Sequence, residues 1–179
     1  MELKSVLLAN YPRISQACGV AVILISLTAL IGWVSGSPAL KGVRPGYIPM
    51  APNTAIVFLL LAVAALTLTA TKSLQFRNIA RITIGFAAVL IVARLSEYLT
   101  SIELRVDQWL FDFPSDSVGL APIGKMAFLT SLTLLLLSAS LFLFTWPERR
   151  WLHSIGHGLS VVVTFIGLAF VSATCMGRR

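Results

Sequence analysis

The chain has 179 residues, of which 57 % are hydrophobic and only 12 % are charged, and its mean hydropathy is +0.88. An ordinary soluble domain carries roughly 25 % charged residues, so this composition excludes a water-soluble globule and predicts a membrane protein. The net charge of +7 comes from basic residues scattered at predicted helix ends, not gathered on one face, which argues against nucleic acid as a partner.

Five apolar stretches predict five transmembrane helices in a single all-α domain over residues 1–179. Four of the stretches exceed the ~20 residues that cross the hydrocarbon core of a bilayer, and the third needs help from its polar flanks. The first helix ends at Gly36-Ser37-Pro38, and the second begins at Pro52, because proline at the first helical position loses only an amide that is unpaired anyway. The predicted spans are 14–35, 52–71, 79–101, 124–146 and 152–176.

A short amphipathic helix is predicted between the third and fourth spans, over residues 102–113. Its apolar residues recur at i, i+3, i+4 and i+7, with the charged residues pointing elsewhere, as in a helix that lies on the membrane surface. These apolar residues are Val106, Trp109, Leu110 and Phe113.

The basic residues at the helix ends favour a cytoplasmic N-terminus in the inner membrane of a bacterial cell. This orientation places seven Lys and Arg residues inside and six outside, so the charge bias is small.

An internal repeat links the two halves of the chain. The segment 50–55, Met-Ala-Pro-Asn-Thr-Ala, matches the segment 126–131, Met-Ala-Phe-Leu-Thr-Ser, at an offset of 76. Upstream, Trp33-Val34-Ser35-Gly36 matches Tyr98-Leu99-Thr100-Ser101 at an offset of 65. The predicted unit is a helix, an outer loop and a helix that opens with Met-Ala-x-x-Thr-small, in a parallel repeat whose third copy begins with the fifth helix.

The segment 49–61, Pro-Met-Ala-Pro-Asn-Thr-Ala-Ile-Val-Phe-Leu-Leu-Leu, resembles the multi-pass membrane input regions that precede PAS, histidine kinase or diguanylate cyclase domains in bacterial sensor proteins. The stretch from Ile102 to Phe111 and the following Gly124-Lys125-Met126 extend the resemblance, which covers most of residues 20–145. The resemblance implies a non-enzymatic bundle that passes signals to an output domain, and no such domain lies within the 179 residues.

His153 and His157 are the two histidines of the chain and share one face of the fifth helix. His157 lies between Gly156 and Gly158, small neighbours that would let a chlorophyll-type pigment approach a single imidazole ligand. Two histidines on one helix cannot hold a haem from both sides, which excludes bis-histidine haem within this chain. The alternative interpretation is that His157 bonds to a neighbouring helix across a glycine-lined contact, and no cofactor of its own is required.

Arg94 and Glu97 lie three residues apart in the third span and are predicted to pair on one helix face. An ionisable pair within a span indicates a proton relay or signal switch, or else a structural ion pair near the helix end, which we favour. Two small-x-x-x-small pairs, Gly32 with Gly36 and Gly156 with Ser160, predict close helix packing, either within the bundle or with a partner.

The sequence contains no nucleophile elbow, phosphate-binding loop or metal-ligand spacing, so we expect no enzymatic activity. The favoured function is that of an accessory or scaffolding subunit, which contacts other integral membrane proteins and lipids within a photosynthetic reaction centre with its antenna or a respiratory complex. The alternative function is a sensor-type signal-input bundle.

Overall fold

The computed structural model describes residues 2–37, 40, 49–70, 73–100, 117–118, 121–122, 125–146 and 148–176. Within these ranges the chain forms five α-helices, as predicted for an all-α protein: α1 Glu2–Ser35, α2 Pro52–Ala70, α3 Leu74–Thr100, α4 Phe128–Phe144 and α5 Arg150–Met176. Two strands of two residues, β1 Ser117–Val118 and β2 Ala121–Pro122, pair antiparallel between α3 and α4. The predicted surface helix over 102–113, with Val106, Trp109, Leu110 and Phe113, lies outside the described residues.

Each helix packs against the next one along the chain, and α2 also contacts α4. The bundle therefore has two ends. The methionine end holds the last turn of α1 and α3 and the first turn of α2 and α4, preceded by Met50 and Met126. The threonine end holds Thr145, directly after α4, together with the first turns of α3 and α5.

Four helical segments are long and apolar enough to cross a membrane: Arg13–Ser35, Pro52–Ala70, Leu74–Thr100 and Arg150–Phe170. The fifth helix, α4, has 17 residues, which at 1.5 Å per residue make about 26 Å. This length is a few ångströms short of the ~30 Å hydrocarbon core, a mismatch that a bilayer accommodates at modest cost. The described helices thus form a bundle with four candidate membrane spans, in which α4 is the shortest helix.

Local chemistry explains the helix ends. Gly36 follows α1 with a φ of +71°, the left-handed conformation that commonly ends helices and that favours glycine. Pro52 opens α2, as predicted. The fourth helix begins two residues after Met126, because Ala127 has an extended backbone, and it ends before Trp146, whose successor is Pro147. It is therefore shorter than the predicted span 124–146.

The start of α3 departs from the sequence expectation. The predicted span begins at residue 79, whereas α3 begins at Leu74 and carries Arg77 and Arg81 on its first two turns. The helix can hold them because both guanidinium groups bind a carbonyl of another helix, as described below.

Small side chains bring α1 close to α2. Ser26, Ala29 and Gly32 are buried on α1, so Gly32 lies on the packed face as predicted. At Gly19, an added Cβ would lie 2.8 Å from Leu66 Cδ2 of α2. The Ser26 hydroxyl oxygen is buried and has no hydrogen-bond partner among the described residues.

We predict that Gly19→Leu lowers the free energy of unfolding by about 1–3 kcal/mol, because the new side chain overlaps Leu66. Gly85→Leu on α3 is the matched control, since an added Cβ at Gly85 meets nothing within 4 Å. Unfolding of both variants in mixed detergent micelles would measure the difference, and equal stability would contradict close packing of α1 on α2.

Candidate functional site

The predicted ion pair of Arg94 and Glu97 is present at the methionine end of α3. Both side chains are more than nine-tenths buried, and Arg94 Nη1 donates to Glu97 Oε2. The guanidinium group also lies over the ring of Tyr98, 4.7 Å from its centre, and Nη2 donates to the tyrosine hydroxyl at 3.3 Å. The charge of Arg94 is therefore neutralised within its own helix.

This cluster also fastens α3 to the start of α4. The Tyr98 hydroxyl donates to the backbone carbonyl of Met126 at 2.8 Å, and Arg94 Nε approaches the same oxygen at 3.4 Å. The Tyr98 ring meets Phe128 edge to face, with ring centres 5.6 Å apart. These bonds supply hydrogen-bond donors to the Met126 carbonyl. This carbonyl precedes the first turn of α4, where the backbone is extended, so no helical N–H group donates to it.

An analogous bond joins α1 to the start of α2. Trp33 Nε1 donates to the carbonyl of Met50 at 2.8 Å, just as Tyr98 does to Met126. In each case the methionine precedes an alanine whose carbonyl accepts the first helical hydrogen bond, from Ala55 to Ala51 at 3.0 Å and from Ser131 to Ala127 at 2.9 Å. At both places an aromatic donor near the end of one helix fixes the start of the next.

Two arginines hold the last turn of α4 at the threonine end. Arg77 donates to the Thr145 carbonyl through Nε at 3.2 Å and Nη2 at 2.6 Å. Arg81 donates to the same carbonyl at 3.1 Å and to the threonine hydroxyl at 3.2 Å, while its guanidinium carbon lies 4.5 Å from the ring centre of Trp146. Positive charge is favourable here because the last carbonyls of a helix carry partial negative charge. The sequence analysis does not predict this contact, because the i, i+4 spacing of the arginines places them on one helix face without identifying their acceptor.

The predicted pair Gly156 and Ser160 packs inside the bundle, against α4. The Ser140 hydroxyl of α4 bonds to the carbonyl of Gly156 at 2.8 Å and to the Ser160 hydroxyl at 2.7 Å. A Cβ on Gly156 would lie 3.2 Å from the Phe144 ring and 3.4 Å from the Ser140 carbonyl. The two members of the other predicted pair have different surroundings. Gly32 is buried, whereas Gly36 follows the end of α1 and an added Cβ there meets nothing within 4 Å.

His157 lies on the surface of α5 next to this contact. Its ring meets Phe144 edge to face at 5.0 Å between centres, and His153 lies 5.5 Å from the same phenyl ring. Gly158, on the other side of His157, has open space around it, so the exposed imidazole is accessible from outside the bundle. Among the described residues, no group of three or more His, Cys, Asp or Glu side chains is placed to hold a metal ion.

Comparison with protein-family models, with curated proteins and with solved structures finds no match for this chain.

Removing one partner of the buried ion pair is expected to destabilise the protein strongly. Arg94→Leu removes the cation that pairs with the buried Glu97 carboxylate, at a cost of about 3–5 kcal/mol in the free energy of unfolding. The double variant Arg94→Leu with Glu97→Leu removes both charges and is expected to recover a large part of that loss. A double-mutant cycle of unfolding free energies tests this, and additive single effects would show that the pair contributes nothing.

Ser140→Ala is expected to lower the free energy of opening of α5 by about 0.6–1.7 kcal/mol, because it removes the bonds from Ser140 to Gly156 and Ser160. Ser138→Ala is the matched control: Ser138 is equally buried in α4, but its hydroxyl bonds to Leu135 of its own helix. Hydrogen exchange of the α5 backbone in detergent would report the difference. Equal exchange in both variants would contradict a role for Ser140 in holding α5.

Proposed function

We propose that this chain is a multi-pass membrane protein without catalytic activity, which acts as an accessory or scaffolding subunit of a larger membrane complex. The observation that carries the proposal is the use made of the polar side chains inside the bundle. Arg77, Arg81, Tyr98 and Ser140 each bind a backbone carbonyl within a neighbouring helix or directly beside one of its ends. Polar groups committed in this way hold helices at fixed positions, which is the requirement for a scaffold.

The outer surface supports the same proposal. Large apolar side chains are exposed on every helix, among them Ile25, Phe86, Leu132 and Phe165. A bilayer would cover these side chains, and neighbouring membrane proteins and lipids are the partners that such a surface accepts. The fifth helix packs chiefly against α4, so most of its circumference is available for lateral contacts.

The basic residues at one end of the bundle support an orientation of the chain in the membrane. The threonine end carries Arg77, Arg81, Arg149 and Arg150, and basic residues concentrate on the cytoplasmic side of membrane proteins. We therefore place this end, and with it the N-terminal part of α1, on the cytoplasmic side of a bacterial inner membrane. Arg77 and Arg81 also bind Thr145, so their position at this end is fixed by the fold itself.

A signal-input bundle is the second candidate function. The segment 49–61, which carries the resemblance to sensor input regions, begins at the point where Trp33 holds the Met50 carbonyl. A displacement of α1 would be passed through this bond to the start of α2, and the Tyr98 bond would pass a displacement of α3 to α4 in the same way. Such a bundle would work together with a separate kinase or cyclase.

Purification of the native protein from its own membrane in mild detergent distinguishes the two functions. Mass spectrometry would identify the proteins that accompany the chain, and a visible absorption spectrum would detect a pigment. The subunit function predicts a large peak that contains other membrane proteins in fixed stoichiometry, and a pigmented peak would make the exposed His157 the first ligand to substitute. A peak that contains only this chain, or this chain with a kinase, would contradict it.

A further inference from the structure

The hairpin of α2 and α3 and the hairpin of α4 and α5 follow the same plan, 76 residues apart. Both second helices have 27 residues, Leu74–Thr100 and Arg150–Met176, and the first helices begin at Pro52 and Phe128. Side-chain hydrogen bonds recur at the same offset. Thr69 bonds to the Leu66 carbonyl at 3.0 Å and Thr145 to the Phe142 carbonyl at 2.7 Å. Ser96 bonds to Ala93 at 2.7 Å and Ser172 to Ala169 at 2.9 Å.

The third helix buries one continuous stripe, formed by Ala80, Ile84, Ala87 and Ile91, each at most 2 % exposed. The residues recur at intervals of four, three and four, the spacing of a helix that packs lengthwise in a bundle. Two neighbours cover the stripe, because α3 packs against α2 on one side and α4 on the other.

The counterparts on α5, at the offset of 76, are Gly156, Ser160, Val163 and Gly167. We call these four residues the α5 stripe. Its first half touches α4, where Gly156 and Ser160 meet Ser140. Its second half is the more open one: Val163 is half-buried, and Gly167 is exposed. An added Cβ at Gly167 meets nothing within 4 Å, whereas its counterpart Ile91 is fully buried.

We propose that the open half of the α5 stripe packs, in the membrane, against α4 of a second copy of this chain. The two copies then form a symmetric pair whose core is a bundle of both α4 helices and both α5 helices. The proposal rests on the proposed function in one respect, which is that α5 lies in a membrane and makes lateral contacts.

The internal repeat indicates which helix packs on the open half of the α5 stripe. On α3 the stripe is covered by α2 and by α4. At the offset of 76, α2 corresponds to the chain's own α4, so the neighbour of α3 that has no counterpart on α5 among the described helices is α4, an antiparallel helix preceded by Met126 and Ala127. A second copy supplies an α4 helix, and copies inserted in the same orientation present it at matching depth. Two-fold symmetry makes the contact reciprocal, because each α5 then receives the α4 of the other copy.

The depth of the contact follows from α3 and α4. Arg94 bonds to the Met126 carbonyl, so these two residues lie at the same height along the bundle. Ile91 lies one helical turn earlier on α3. Because α3 and α4 are antiparallel, Ile91 lies at the height of residues near Leu129 and Leu132 of α4. Gly167 therefore meets the same level on the α4 of a second copy. Leu129 and Leu132 are 45 % and 38 % exposed on α4, and a glycine opposite them leaves room for both side chains.

Two glycine substitutions on α5 form a matched test. An added Cβ at Gly158 or at Gly167 meets nothing within 4 Å, so both positions face open space in the single chain. Gly167 belongs to the α5 stripe, while the α3 counterpart of Gly158 is Ile82, which is 73 % exposed. Copies with two different affinity tags, produced in the same cells and extracted in mild detergent, would show pairing by co-purification and by native mass.

The proposal predicts that the wild-type chain and Gly158→Leu co-purify with the second tag equally well. Gly167→Leu is expected to reduce the recovered partner copy by at least about tenfold, since its side chain overlaps the leucines of α4. Equal co-purification of the two variants, or a wild-type chain that carries no second copy, would overturn the proposal and point to lipid or another protein on the α5 stripe.

The same preparations separate this proposal from the proposed function. Complexes with other membrane proteins that contain a single copy of the chain would overturn the pairing and leave the subunit function standing. A pair of copies with no other protein would support the pairing and contradict the subunit function. Recovery of the chain in the soluble fraction would overturn both.

Discussion

The carbonyl of Thr145 is held by two arginines of another helix, and the arrangement of the second half of the bundle depends on that contact. The fourth helix is too short to be fixed by its hydrophobic length, so Arg77 and Arg81 set the position of its last turn. The turn that follows leads directly into α5, which Ser140 then holds through Gly156 and Ser160. Thr145 and Ser140 are fully buried, so these bonds are shielded from solvent and define helix positions closely.

The same rule operates at the opposite end, where the helix starts are fixed by aromatic donors. Trp33 and Tyr98 both satisfy the carbonyl of a methionine that precedes a helix. Arg94 and Glu97 neutralise each other beside Tyr98, and the guanidinium group adds a contact to the same carbonyl. The ion pair of Arg94 and Glu97 therefore belongs to the structural support of α4. This use of buried polar groups is the observation that supports the proposed scaffolding function.

Periodicity and composition predict the five helices because apolar length and Gly or Pro punctuation are local properties of the chain. The Arg94–Glu97 pair was predictable for the same reason, since its spacing within one helix brings the side chains together. The partners of Arg77 and Arg81 lie more than 60 residues away, and no local pattern identifies a backbone carbonyl as their acceptor. The role of Gly36 at the end of α1 also depends on backbone conformation, since small-residue spacing alone indicates packing.

The central claim is that α4 crosses the membrane although it has only 17 residues. Single cysteines at Ser73, Lys125 and Glu148 of a variant without Cys18 and Cys175, labelled with a membrane-impermeant maleimide from each side of intact and inverted vesicles, test it directly. The account predicts that the cysteines at 73 and 148 are labelled from the same side and the cysteine at 125 from the opposite side. Labelling of the cysteines at 125 and 148 from one side would show that α4 does not span the membrane and would contradict the account.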